Sequence, residues 1–172
     1  MALKARFQPY TLHFKETAIT SRQHMDVKDT YILYLWDDAS PEVVGKGECN
    51  LFAGLSAEDS PDYSNILQNA CDNTDMPLPQ LSSIRFGFES ARWSLEAKGS
   101  QKMIDTPFSR GEEAITINGL VWMGDKRTML RRMREKIDSG FRCVKLKIGG
   151  IDFQEELSIL DPLRKEFTVE DI

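Results

Sequence analysis

Two lysines separated by one residue are the feature of this sequence that most directly suggests chemistry. Lys145 and Lys147 lie in the segment CVKLKIG, residues 143–149, where apolar and polar side chains alternate. On a β-strand this alternation places both lysines on one face, rooted roughly 6.6 Å apart. Repulsion between two such ammonium groups favours the neutral form of one of them, which is the form that a general base needs. Taken alone, the pattern also fits an ordinary half-buried strand whose lysines point into water.

The lysine strand belongs to an alternation of strands and helices in the C-terminal part of the chain. The pattern predicts strands over Ile115–Trp122 and Arg142–Ile148, with a helix over Asp125–Ser139 between them. Such an order implies parallel strands with right-handed crossovers. Parallel strands are normally covered on both faces, so two lysines on one face need a special setting, and the mouth of a barrel is one. About 60 residues are too few for a barrel, so we expect the chain to be truncated.

A second helix is predicted to follow the lysine strand. Asp152 is its expected N-cap, with Glu155 completing a capping box, and Pro162 should kink or end the helix. The Gly149-Gly150 pair before it is interpreted as a tight turn rather than an anion site. The apolar face of this helix is predicted from three residues: Phe153, Leu157 and Leu160.

The N-terminal part has a different organisation, typical of a small antiparallel sheet with helices. Three strands are predicted near residues 10–14, 31–36 and 43–50, and a polar loop from about Glu16 to Lys28 joins the first two. Two helices follow, from an N-cap at Ser60 to about residue 72 and over residues 82–97. This predicts a three-stranded meander plus helices.

Composition excludes several classes of protein. The 172 residues carry 22 Lys+Arg against 27 Asp+Glu, a net charge of −5, which argues against nucleic acid as the main partner. No apolar run is long enough for a membrane span, and the N-terminus has no secretory signal pattern. Three widely spaced cysteines, Cys49, Cys71 and Cys143, fit reduced thiols. We therefore expect a cytoplasmic protein with no membrane partner.

Four segments together resemble the o-succinylbenzoate synthases of the enolase superfamily: GKGECNLFAGLS (45–56), SIRFGFESARWSLEA (83–97), INGLVWMG (117–124) and CVKLKIGG (143–150). The resemblance runs in order over nearly the whole chain. It implies an α+β enolase-type N-terminal capping domain over residues 1–100, followed by an incomplete (β/α) TIM-type barrel over residues 101–172. On this interpretation the chain is an N-terminal fragment, and its Lys-x-Lys lies on the second barrel strand.

The resemblance also implies a reaction and a metal. It assigns Lys147 as the general acid/base and Lys145 as the partner that tunes and orients it. The family implies Mg²⁺, held by acidic residues on later barrel strands and stabilising an enediolate, so no metal ligand is expected in this chain. The implied reaction is the dehydration of 2-succinyl-6-hydroxy-2,4-cyclohexadiene-1-carboxylate to o-succinylbenzoate in menaquinone synthesis.

Two loops are candidates for contacting this small carboxylate substrate. By resemblance, Thr17–Met25 and Leu51–Ser56 would close over its succinyl tail. Arg22 is then a candidate carboxylate contact and Phe52 a candidate apolar wall. The simpler interpretations, a solvated loop charge for Arg22 and core packing for Phe52, stay open.

Other functions remain compatible with the sequence. N-succinylamino acid racemases, dipeptide epimerases and muconate cycloisomerases share the lysine pair, so these two residues do not distinguish among them. A non-catalytic domain that associates through its exposed half-barrel is an alternative of a different class. The unpaired edge of the second barrel strand favours self-association. We expect the 172-residue chain by itself to be inactive.

Overall fold

The computed structural model describes residues 2–20, 22–100 and 102–172, and the chain forms two compact units. The first unit comprises the residues up to His13 together with Val27–Glu113, and the second comprises Phe14–Asp26 and Ala114–Ile172. A long hairpin therefore contributes its base to the first unit and its end to the second. The domain boundary expected near residue 100 stays a prediction.

A three-stranded sheet with the order β1-β2-β3 contains the N-terminal strands, as expected for a meander. The strands are β1 (Leu3–Ile19), β2 (His24–Asp37) and β3 (Ser40–Cys49), and β2 pairs with β3 antiparallel. The predicted polar loop Glu16–Lys28 is wrong, because most of it is strand. Its side chains pair across the ribbon, as in the 2.6 Å hydrogen bond that Thr17 Oγ1 donates to Asp26. Polar cross-strand pairs stabilise a ribbon without the apolar alternation that marks a strand in a sequence.

Two helices pack with this sheet in the first unit. They are α1 (Tyr63–Asp72) and α2 (Ser82–Glu96), close to the predicted ranges. The N-cap of α1 is Asp62 rather than Ser60, and its side chain makes no capping hydrogen bond. The centre of the core consists of fully buried aliphatic side chains: Leu33, Leu35, Leu67 and Ile84.

Three glycines allow the backbones of α2 and β3 to approach closely. A Cβ on Gly45 would lie 2.1 Å from the carbonyl oxygen of Ala91, and one on Gly47 would lie 1.9 Å from that of Gly87. A Cβ on Gly87 would in turn lie 2.3 Å from Cys49 Sγ. Since these neighbours are mostly backbone, a side chain at any of these positions forces the helix away from the sheet.

A carboxylate from the preceding loop caps the N-terminus of α2. Glu58 accepts hydrogen bonds from Ser83 N at 3.0 Å and Ser83 Oγ at 2.6 Å, and also from the Ser82 hydroxyl. Burial alone would raise the pKa of Glu58, but the hydrogen bonds from Ser82 and Ser83 outweigh burial and hold the pKa below the ordinary glutamate value. The ionised carboxylate thus stabilises the first turn of α2.

The second unit contains a parallel pair of short strands, β4 (Gly119–Val121) and β5 (Val144–Leu146). Each strand is followed by a helix, α3 (Lys126–Asp138) and α4 (Phe153–Glu166), in the predicted order. The strands are shorter than predicted, since most of Ile115–Trp122 lies outside the ladder. No helix in the described part of the chain is long and apolar enough to cross a membrane.

The last helix differs from its prediction in two respects. Pro162 lies inside α4, so the expectation that it ends the helix is wrong, and the alternative that it kinks the helix stays a prediction. Ile159 and Leu163, on either side of it in the helix, are buried. Their burial offsets the loss of one helical hydrogen bond. The predicted inner face is wrong, because three of its residues are exposed: Phe153 (57%), Leu157 (42%) and Leu160 (39%).

Gly47→Ala is expected to destabilise the chain by about 3 kcal/mol, because the added methyl group clashes with the Gly87 carbonyl on α2. Urea unfolding followed by circular dichroism measures the change. Lys46→Ala, at the exposed position between the two β3 glycines, is the matched control and should stay within about 0.5 kcal/mol. Equal effects of the two substitutions would contradict the close approach.

Glu58→Gln is expected to reduce the acid sensitivity of folding. Because the folded-state pKa of Glu58 lies below its unfolded value of 4.5, its contribution is present above pH 4.5 and is lost as the pH falls through the folded pKa. Urea midpoints of the parent and of Glu58→Gln should therefore converge between about pH 5 and about pH 3. Glu42→Gln, at an exposed position on β3, should show no convergence.

Candidate active site

The two faces of the β4–β5 sheet have opposite character. Val121 is fully buried in a cluster with Met129 and Met133 of α3 and Ile159 of α4. Val144 and Leu146 pack against the same cluster. Strand alternation then turns the remaining side chains of both strands to the other face, where Leu120 and Lys145 are exposed.

Lys145 and Lys147 belong to this second face. Lys145 is exposed and lies opposite Leu120, which is itself 39% exposed. Lys147 is half-buried, one residue beyond β5, and its backbone N–H donates to Val121 O at 3.0 Å. The ladder thus continues to Lys147, at the carboxyl end of the sheet. Here a lysine can meet a ligand while its backbone is held by the neighbouring strand.

A buried carboxylate fixes the turn that follows Lys147. Glu156, 6% exposed, accepts hydrogen bonds at one oxygen, Oε1, from Gly149 N at 2.6 Å and Gly150 N at 3.2 Å. The two N–H donors of the Gly-Gly turn therefore converge on one oxygen, which a side chain of the same unit supplies. Gly149 has φ +99°, which favours glycine.

Sequence reasoning missed Glu156. It correctly identified Asp152 as the N-cap of α4, since this side chain accepts from Gln154 N at 2.9 Å, but it assigned the capping glutamate to Glu155. The available signal was an acid four residues after the cap, on the face that also carries Ile159 and Leu163.

Arg22 lies in the turn between β1 and β2. Thr20 closes this turn: its Oγ1 accepts from Arg22 N at 3.2 Å and from Gln23 N at 3.0 Å. The Arg22 side chain is exposed. Its guanidinium group therefore remains available to a ligand.

Phe52 lies in the first unit and covers a buried lysine. The Nζ of Lys28 is 5.0 Å from the centroid of the Phe52 ring and 3.7 Å from a Glu48 carboxylate oxygen. Phe52 itself is 38% exposed, so it is neither a core residue nor free of contacts. Its backbone N–H donates to Ser56 Oγ at 2.8 Å, which fixes the loop.

A cavity of about 450 Å³ lies within the second unit, between the hairpin end and the edge of β4. Phe14, Glu16, Leu120, Trp122 and Arg132 are among the residues that line it. The indole N–H of Trp122 is buried and has no hydrogen-bond partner, which leaves one free donor at the end of β4.

The described residues do not form a metal site. Nowhere in residues 2–20, 22–100 and 102–172 do three His, Cys, Asp or Glu side chains come close enough to hold a metal ion together. Cys49 and Cys71 are buried free thiols, and burial raises the pKa of Cys49 to about 12 and that of Cys71 to about 11. Neither thiol is suited to ligate a metal or to act as a nucleophile near neutral pH.

A known sequence resembles this one over most of the chain. A curated o-succinylbenzoate synthase from Desulfotalea psychrophila is 30% identical over 198 aligned positions, covering 91% of this chain and 52% of that protein. The chain thus spans about half the length of the curated relative it matches. No protein-family model matches the chain.

Solved structures show the same fold. MenC from Desulfotalea psychrophila matches with a TM-score of 0.78 at 23% identity, over 100% of this chain and 55% of that one. A dipeptide epimerase from Cytophaga hutchinsonii, complexed with Mg and a dipeptide, gives a TM-score of 0.70 at 17% identity, over 99% and 50%. An o-succinylbenzoate synthase from Thermosynechococcus elongatus, with Mg in its active site, gives 0.65 at 19%, over 97% and 49%. The predicted enolase-type fold and the predicted resemblance are confirmed.

Glu156→Ala is expected to destabilise the chain by about 2–4 kcal/mol, because it leaves two amide donors of the Gly149-Gly150 turn without their acceptor. Glu156→Gln should cost clearly less, since an amide oxygen can replace Oε1 as acceptor for both. Urea unfolding measures both changes, and Glu155→Ala is the exposed neighbouring control. If the Ala and Gln variants lose equal stability, acceptance by Oε1 is not what holds the turn.

Proposed function

This chain resembles the o-succinylbenzoate synthases of the enolase superfamily and shares their fold, and on that premise we propose that the protein to which it belongs is one of them. The reaction would be the dehydration of 2-succinyl-6-hydroxy-2,4-cyclohexadiene-1-carboxylate to o-succinylbenzoate, in menaquinone synthesis. The observation that supports the proposal is that Lys145 is exposed on β5 and that the backbone N–H of Lys147 donates to Val121 O at the carboxyl end of the β4–β5 sheet.

The proposed chemistry requires one base that later acts as an acid. Lys147, as the neutral amine, removes the proton from the carbon α to the ring carboxylate. The electron pair left on that carbon forms a ring double bond as the C–O bond of the neighbouring hydroxyl group breaks. The Lys147 ammonium group then protonates the departing hydroxide, so one water leaves, the ring becomes aromatic and the lysine is neutral again.

Lys145 is assigned the supporting role. Its side chain lies two residues before Lys147 in the same segment, and we assign it the role of tuning and orienting the Lys147 amine. It also attracts the substrate carboxylate to the same sheet edge.

Mg²⁺ is part of the proposal for the whole protein only. By the resemblance, acidic residues on later barrel strands would hold it, and the 172 residues alone are expected to be inactive.

Substrate contacts are proposed for the two loops. Arg22, exposed in the hairpin turn, would pair with the succinyl carboxylate, and Phe52 would offer an apolar wall beside Lys28. An arginine suits this role because its planar fork matches a carboxylate.

Racemisation or epimerisation is the second candidate function. Structures of similar fold include a dipeptide epimerase and an N-succinyl Arg/Lys racemase, at TM-scores of 0.70 and 0.69. Proton abstraction α to a carboxylate is common to these reactions and to the dehydration, so the lysine face supports both. Parallel assays with the cyclohexadiene substrate, a dipeptide and an N-succinylamino acid separate them.

Lys147→Ala, made in the protein expressed from its complete coding region, is expected to lower the rate of o-succinylbenzoate formation by at least about a hundredfold, since it removes the acid/base group. Lys145→Ala should lower the rate less, because it leaves the acid/base group in place. Chromatographic detection of the product measures both.

The matched control is Lys165→Ala, which removes an exposed lysine in the last turn of α4 and should leave the rate unchanged. Turnover by Lys147→Ala at the parent rate would refute the assignment of the base. Racemisation without dehydration would instead favour the second candidate. A protein inactive in all three assays would leave the non-catalytic, self-associating domain as the better hypothesis.

A further inference from the structure

Arg132 joins three parts of the second unit through one guanidinium group. Nη1 donates to Met123 O at 3.1 Å and to Trp122 O at 3.4 Å, and Nη2 donates to the Glu16 carboxylate at 2.6 Å. These acceptors lie just beyond β4 and on the hairpin strand β1. The side chain of Arg132 is 23% exposed, whereas its neighbour Arg131 is 58% exposed and pairs with Glu135 on its own helix.

The position of Arg132 on α3 explains how it reaches these groups. Helical side chains tilt toward the N-terminus of their helix, so a residue in the second turn extends back toward the segment that precedes the helix. That segment, Trp122 to Asp125, lies between the end of β4 and the N-cap of α3. Its carbonyl groups lie beyond the β4–β5 pairing, and a planar guanidinium can satisfy several acceptors at once.

The end of β4, whose following carbonyl groups accept from Arg132, also pairs with the segment that contains Lys147. Val121 O accepts from Lys147 N at 3.0 Å, one residue before the carbonyl groups bound by Arg132. A Cβ on Gly150 would lie 3.3 Å from the Met123 side chain, so the turn after Lys147 packs on the same segment. A short series of contacts thus connects Glu16 on the hairpin to Lys147.

We propose that Arg132 is a positioning residue that holds the hairpin end, residues 14–26, at the sheet edge where Lys147 lies. Arg132 does so through its ion pair with Glu16 and its hydrogen bonds to the carbonyl groups of Trp122 and Met123. The effect on substrate binding rests on the proposed function. Arg22 lies in the hairpin turn, and holding that turn lowers the conformational-entropy cost of ordering it around the substrate. Arg132 then acts on substrate affinity rather than on the chemical step.

The test combines hydrogen exchange with kinetics in the complete protein. Arg132→Met keeps the apolar stem and removes the donors, Glu16→Gln weakens one acceptor, and Arg131→Met is the control on the same helix. Amide exchange of residues 14–26 should accelerate at least about fivefold in Arg132→Met, less in Glu16→Gln, and not in Arg131→Met. KM should rise about fivefold to tenfold in Arg132→Met, with kcat within about twofold.

Arg132→Lys adds a rescue test, because lysine can pair with Glu16 but lacks the fork that binds both carbonyl groups. Partial recovery of slow exchange and of KM is expected. If Arg132→Met does not fold, Glu16→Gln and Arg132→Lys provide the same comparison.

Three results have distinct meanings. Unchanged exchange in residues 14–26 overturns the inference, whatever the activity. Faster exchange with an unchanged KM also overturns it, because the hairpin then has no influence on the substrate. Faster exchange in a protein that turns over none of the assayed substrates supports the hairpin contact and counts against the proposed function.

Discussion

Val121 is fully buried against α3 and α4, and the direction of both lysines depends on that contact. Side chains of a strand alternate, so burying Val121, Val144 and Leu146 on one face turns Lys145 to the other. A shift of one residue in β5 would bury the Lys145 ammonium group among methionines and aliphatic side chains, at a cost far above any gain in pairing. The apolar cluster therefore selects the register, and the register places the lysines.

In each unit a carboxyl group satisfies backbone donors that would otherwise need water. Glu156 accepts from the Gly149-Gly150 turn, and Glu58 caps α2 in the first unit. In both places a carboxyl group accepts from backbone N–H groups at the start of a helix or turn, where donors converge. Because charge-assisted hydrogen bonds are strong and directional, loops that lack regular secondary structure acquire defined positions. In the candidate substrate loops, Asp26 accepts from Thr17 Oγ1 and Asp59 accepts from Gly54 N.

The packing of the first unit depends on a different constraint: three positions where α2 meets β3 must be glycine. Gly45, Gly47 and Gly87 let α2 and β3 approach to backbone contact, and Leu33 and Leu35 of β2 are fully buried in the core of the same unit. Close backbone approach leaves few ways for the helix to slide on the sheet. The same segments, around residues 45–56 and 83–97, supplied much of the sequence resemblance, which is consistent with a strict packing requirement there.

Local sequence patterns were sufficient to predict where some helices begin and end and which strand carries the lysine pair. Asp152 and Gly140 mark where helices begin and end, and the Lys145-x-Lys147 alternation identified a two-faced strand next to a helical crossover. What the sequence left undetermined depends on distant partners. The strand character of residues 24–28 comes from cross-strand polar pairs, the buried face of α4 from its fit to Val121 and Met129, and the partners of Glu156 and Arg132 from chain segments brought near by folding. Such contacts join residues that are separated in the sequence or lie on different elements, so only the tertiary structure decides them.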